Sequence, residues 1–208
     1  MKPDCATREQ VLQAALKKFA QSGYAGTSVQ DIVDAAAVTK PTLYYYFENK
    51  AELYQALVDS AHDERRRLMQ EAAARCETLS EKLVEILTVL FDFLKGHREL
   101  MRLAFSTAFA APGEVPPEIR YLEKSTRNFE LIHSLIKDGL ASGALNRRFS
   151  SLELTMSFYG LLMIYVASHL VKPDYTLNRE TAERIVKLFF EGAAAKRAGR
   201  EGESTSRA

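Results

Sequence analysis

In residues 28–50, SVQDIVDAAAVTKPTLYYYFENK, three adjacent tyrosines follow a cluster of hydroxyls and a cation, Thr39, Lys40 and Thr42, and a second cation, Lys50, closes the run. Such groups suit a surface that carries both apolar methyls and anionic oxygens. Tyrosine rings lie against thymine methyls, their hydroxyls donate to phosphates, and short donors at a helix start reach base edges or backbone. Lys50 falls at the first position of a predicted helix, where the macrodipole disfavours a cation by roughly 0.3–1 kcal/mol. A phosphate held between that lysine and the free N–H groups reverses the sign. Thr27 and Ser28, at the preceding helix start, offer a second anchor by the same logic.

Each residue alone fits equally well as packing or as a solvated charge. The joint pattern decides, and it depends on the elements that position it. The spacing predicts a helix over 8–20 with Val11, Leu12, Ala15, Leu16 and Phe19 on one face and Gly23 as its stop. Ser28 with Asp31 opens a second, whose inward stripe is Val29, Ile32, Val33 and Ala36. Ala37-Val38 then turns the chain into a third, capped by Thr39, with Pro41 in its first turn and Leu43 and Phe47 as an inward pair. On a 100° wheel Pro41, Tyr44 and Tyr45 fall on the opposite side, with Thr42 at its edge. Asn49 and Glu52 open a fourth helix that carries Leu53, Leu57, Val58 and Ala61 inward and runs to about residue 75. Residues 1–54 hold six basic and six acidic side chains, so any affinity for a polyanion is local to this face.

Over residues 8–57 the sequence resembles the TetR-type bacterial transcription regulators. The resemblance rests on Thr27-Ser28, Ile32-Val33, Ala36-Ala37-Val38, the run Thr39 to Phe47, and Asn49-Lys50-Ala51-Glu52-Leu53. It implies a helix-turn-helix whose third helix enters the major groove of a double-stranded DNA operator. Base-contacting roles then fall to Thr39, Lys40, Pro41, Thr42 and Tyr44, and phosphate roles to Thr27, Ser28, Tyr45, Tyr46 and Lys50. Two positions depart from the pattern: Ala37 stands where glycine is common, and Tyr46 where histidine is frequent. The resemblance implies repression as the usual mode. It also implies an effector cavity in the C-terminal helices, with Phe91, Met101, Phe105, Phe109, Phe129, His133, Tyr159 and Met163 as candidate lining for a small apolar or aromatic ligand. Binding there favours a conformation in which the two reading heads no longer fit one face of the DNA.

Beyond residue 78 longer apolar helices are expected over 80–95, 97–110, 117–141, 152–171 and 179–194, punctuated by Gly96, Pro112-Gly113, Pro116-Pro117, Gly139 to Gly143, Ser150, Pro173 and Asn178. No stretch alternates at period two, so the expected fold is all-α: a three-helix DNA-binding domain over 1–54, a helical effector-binding and dimerisation domain over 55–195, and a disordered tail over 196–208. The segment 158–166 is apolar all round, and Ile185, Val186, Leu188, Phe189 and Phe190 crowd the last helix. So much apolar surface predicts a homodimer through a four-helix interface that includes Leu161, Leu162, Tyr165, Ile185, Leu188 and Phe189, with reading helices ~34–36 Å apart. An internal core alone is the simpler alternative.

The composition agrees with a globular chain: 208 residues, 47% hydrophobic, 26% charged, 28 basic against 27 acidic. Cys5 and Cys76 suggest no disulfide framework, no export signal precedes residue 8, and the apolar run 158–167 falls short of the roughly 20 residues a bilayer crossing takes. A cytoplasmic protein with no membrane partner is expected. His62, His97, His133 and His169 form no two-ligand metal motif; Asp59 and His62 could meet at i, i+3, but further ligands are not evident. No phosphate loop, nucleophile elbow or CxxC is present, so neither an enzyme nor a cofactor is expected. The rival from another class is an all-α small-molecule-binding protein or enzyme whose N-terminal lobe only packs.

Overall fold

A computed structural model describes residues 5–111, 114–116, 119, 121–172 and 176–192. The protein is all-α, with no strand among the described residues. In chain order the helices are α1 (Cys5–Ser22), α2 (Val29–Ala35), α3 (Lys40–Tyr46), α4 (Lys50–Ala74), α5 (Leu79–Gly96), α6 (Arg98–Ala108), α7 (Tyr121–Ala141), α8 (Ser151–Val171) and α9 (Arg179–Glu191).

Starts follow capping chemistry. Ser28 and Ser150 make full capping boxes with Asp31 and Glu153, and Thr39, Asn49 and Asn178 each accept a backbone N–H of the first turn. Thr78, with Glu81, caps α5 one residue earlier than the pattern of apolar residues suggests. His97 gives α6 no side-chain cap. Helix α7 ends at Ala141, as expected, and Gly139 in its last turn leaves room for the Leu79 side chain, which a Cβ there would meet. The expected start of this helix at Pro117, the last residues of the helix expected over 179–194, Pro112-Gly113, Pro173 and the tail over 196–208 lie outside the described residues.

Two apolar clusters form. The first joins Val11, Ala15 and Phe19 of α1 to Ile32 and Val33, to Leu43 and Phe47, and to Leu53, Tyr54, Leu57 and Val58 of α4; Leu103 of α6 closes it. The second takes Met69 and Ala72 from the far half of α4, with α5, Ile132 and Ile136 of α7, Phe158, Leu162 and Val166 of α8, and Ile185 of α9. Helix α4 runs unbroken through both, a rod about 38 Å long that joins the two clusters.

Candidate nucleic-acid interface

Helices α2 and α3 meet through a turn that Ala37 makes at φ 49°, a left-handed conformation that costs an L-residue about 1–2 kcal/mol. Hydrogen bonds hold it there. The Val38 N–H donates to the Val33 carbonyl at 3.0 Å, and Gln10 Nε2 of α1 donates to the Ala36 carbonyl at 2.8 Å. Leu43 and Phe47 are sealed in the first cluster, and the Arg8 guanidinium lies 5.1 Å from the Phe47 ring centroid. With that side anchored, the other side of α3 is presented outward: Tyr44 is 49% exposed and Tyr45 62% exposed, beside exposed Lys40 and Pro41 and half-buried Thr42. Tyr45 meets the half-buried Tyr46 edge-on at 5.1 Å, and the Thr39 and Thr42 hydroxyls lie 2.9 Å apart at the helix start.

The residues assigned to phosphate are placed less uniformly. Thr27 is 2% exposed, its hydroxyl 2.7 Å from the Gly23 carbonyl and 3.2 Å from that of Lys18. Its side chain therefore braces the bend after α1 and does not face outward, a correction to the anchoring role expected for it. Ser28 is exposed, but the Asp31 carboxylate already accepts its hydroxyl at 2.6 Å and its backbone N–H at 2.8 Å. Those bonds hold the Asp31 carboxyl below its ordinary range. Lys50 folds back: its Nζ donates to the Tyr24 and Thr27 carbonyls at 2.9 and 2.8 Å and lies 4.1 Å from the Tyr24 ring centroid. Partial burial lowers its pKa. Two of three ammonium protons clamp the bend.

The expected effector-lining set divides among three places. Phe91 and Met101 are buried in the second cluster. Phe129 stands edge-on to Tyr159 at 5.5 Å and near His133 at 6.1 Å, where the imidazole Nε2 is 3.0 Å from Ser151 Oγ; half-buried Met163 packs on the same cluster. Phe105 and Phe109 sit 5.5 Å apart on α6, in a groove shared with Arg98, Arg102, Leu170 and Val171.

Of the expected dimer residues, Leu162 and Ile185 are buried within their own protomer, a correction that follows from helical period: adjacent residues cannot all face outward. Leu161, Tyr165 and Phe189 are half-buried and Leu188 is exposed. The outward apolar row also includes Leu152, Met156 and Ile164, which uniform hydrophobicity along α8 concealed. Among the described residues α8 is the one helix long and apolar enough to cross a membrane.

Sequence reasoning missed the joint between the two clusters. The Tyr54 ring packs edge-on to Phe19 at 5.0 Å and Tyr24 at 5.2 Å, and its buried hydroxyl meets Thr107 Oγ1 of α6 at 2.8 Å. Farther along α4, Asn128 Nδ2 donates to the His62 carbonyl at 3.2 Å, and Lys124 pairs with Asp63 and Asp59 at 2.5 and 3.5 Å. Both carboxylates near His62 are thus engaged by Lys124, and no group of three or more metal-ligating side chains converges among the described residues. Burial, with the Arg65 charge beside it, lowers the His62 pKa from 6.5 to about 4; the nearby Asp63 charge opposes the shift.

Residues 11–57 match the model of the bacterial regulatory proteins of the tetR family. Over 181 residues the chain is 26% identical to the uncharacterized HTH-type transcriptional regulator YhgD of Bacillus subtilis (strain 168), covering 86% of this chain and 92% of that one. In fold it resembles the fatty acid degradation regulator FadR from Bacillus halodurans, with a TM-score of 0.80 at 19% identity over 94% of this chain and 100% of the other. It also resembles the transcriptional regulator FadR from Bacillus subtilis, solved in complex with stearoyl-CoA, with a TM-score of 0.76 at 20% identity over 89% and 99%. The N-terminal domain, residues 11–57, is that of the TetR family of helix-turn-helix transcription regulators. The protein is a DNA-binding regulator, not an enzyme.

Proposed function

We propose that the protein is a cytoplasmic, dimeric repressor that binds a palindromic operator and leaves it when a small apolar or aromatic ligand binds its C-terminal helices. The observation that carries the reading is α3 itself: Leu43 and Phe47 are sealed while Tyr44 and Tyr45 stand in solvent. Large aromatics left side by side in water call for a partner. In this reading Thr39, Lys40, Pro41, Thr42 and Tyr44 meet base edges. Tyr45, Tyr46, Ser28 and the remaining Lys50 proton meet phosphates, and Thr27 contributes only by fixing the bend.

The second copy covers the outward row of α8 and α9, Met156, Ile164 and Leu188 among others, which buries in a four-helix interface the surface that would otherwise favour lipid. The domain division then runs through the continuous helix α4 near residue 54. Effector control draws support from the fold-level likeness to a regulator solved with stearoyl-CoA.

The test is selection of genomic fragments by the purified chain, followed by gel shift at rising salt. A two-fold symmetric site, bound by a dimer with affinity that falls steeply with ionic strength, is the expected result. If no sequence is enriched, the reading fails and an all-α small-molecule-binding protein takes its place.

A further inference from the structure

We propose that the groove between α6 and the C-terminal end of α8 binds an amphipathic anion, a small molecule with an apolar chain and an acidic head, and that this is the regulator's effector class. The proposal rests on the effector-responsive reading above and adds an acidic head to the apolar ligand of that reading.

Arg98, Arg102 and Phe105 recur at i, i+4 and i+7, so they share one face of α6, and Phe109, the residue that caps its C-terminal end, packs 5.5 Å from Phe105. Arg98 and Phe105 are half-buried, and Arg102 and Phe109 are exposed. Phe109 is 78% exposed, and Val171, across the groove on α8, is 86% exposed. With Leu170 these residues line a space of about 510 Å³. Small-molecule sites typically span roughly 300–1,000 Å³.

The charge in the groove has one sign. Two guanidinium groups line it and no carboxylate does among the described residues. Elsewhere arginines find acids: Arg67 pairs with Glu64 and Glu71, Arg127 with Glu123, and Arg179 with Glu85. Arg98 instead donates through Nη2 to the Leu170 carbonyl at 2.9 Å, and its buried Nε has no acceptor among the described residues. That bond holds the guanidinium in place before any ligand arrives, so less freedom is lost when an anion binds. A fixed cation, Arg98, with a second, exposed one, Arg102, beside exposed aromatic and aliphatic side chains matches a molecule that is anionic at one end and apolar along the rest. The arginines and phenylalanines lie on α6, outside the α8 and α9 row assigned to the second copy.

The position suits control of DNA binding. Thr107 is on the buried side of the same helix and bonds Tyr54 in the N-terminal cluster. An occupant that shifts α6 therefore acts on α4 directly.

The experiment compares dodecanoate, dodecanol and dodecyltrimethylammonium, each below its micelle threshold, by isothermal titration on the full chain. The anion is expected to bind roughly ten- to a hundredfold tighter than the alcohol, and the cation not at all. Arg98→Gln/Arg102→Gln should remove that preference, and Phe109→Ser should weaken the anion without altering sedimentation. Dodecanoate should also lower affinity for the selected operator. Equal affinity for acid and alcohol on the unmodified protein overturns the proposal, as does full anion affinity in the double variant. A changed oligomeric state in Phe109→Ser assigns the groove to a second copy and likewise overturns it. Anion binding that leaves operator affinity untouched overturns the effector assignment. Absence of any operator affinity in the unliganded protein marks failure of the repressor reading itself, which is read separately from the titration.

Discussion

The Tyr54 hydroxyl of α4 and the Thr107 hydroxyl of α6 lie 2.8 Å apart in the interior, where the DNA-binding cluster meets the C-terminal helices. Thr107 spends its single proton on the Leu103 carbonyl, 2.7 Å away, so Tyr54 is the donor between them. Burial raises the Tyr54 pKa, and the phenol stays protonated near neutrality. Tyr54→Phe removes this bond but leaves Thr107 bonded to Leu103. A loss of about 0.5–1.5 kcal/mol is expected by urea denaturation. A double-mutant cycle with Thr107→Val, read as operator affinity, should show the two sites coupled; strict additivity would remove the joint from the regulatory pathway.

Lys50 holds the bend before α2 by two hydrogen bonds and a cation–π contact. Lys50→Ala should lower the melting temperature, by about 1–3 kcal/mol of stability, and weaken every operator sequence alike. If the third ammonium proton reaches a phosphate, the salt slope of binding should also shrink by about one.

Ala37 occupies the left-handed region at φ 49°. Ala37→Gly relieves that strain while loosening the unfolded chain, for a net gain of about 0.5–1 kcal/mol. Differential scanning calorimetry should show a higher melting temperature, with operator affinity kept because the turn geometry is unchanged.

His62 is neutral when folded down to about pH 4, whereas its ordinary value is 6.5. Between those values the unfolded chain binds the extra proton, so stability falls as pH drops through this window and is unaffected above it. The ceiling is about 3 kcal/mol. His62→Gln should flatten the profile of unfolding free energy between pH 4 and 6.5.

Tyr44 and Tyr45 stand on the same exposed side of α3 but are assigned different partners. Tyr44→Ala should relax base preference at one position of the half-site, a change of about 1–3 kcal/mol in discrimination. Tyr45→Ala should weaken all sequences by a similar factor. Competition gel shifts against single-base operator variants separate the two outcomes.

The sequence by itself determined the nine described helices, the caps at Ser28, Thr39, Asn49, Ser150 and Asn178, and the outward turn of Tyr44 and Tyr45. These depend on neighbours three or four residues away, which periodicity and capping chemistry report directly. Only the tertiary structure decided that Lys50 and Thr27 brace a bend, that Tyr54 reaches Thr107, that Phe91 and Met101 are sealed while Phe109 is not, and that Leu162 and Ile185 face their own core. The physical reason is distance along the chain. Lys50 finds its carbonyl acceptors 23 and 26 residues away, and Tyr54 finds its hydroxyl partner 53 residues away. A helical wheel shows which residues share a face but not which remote helix comes to cover it.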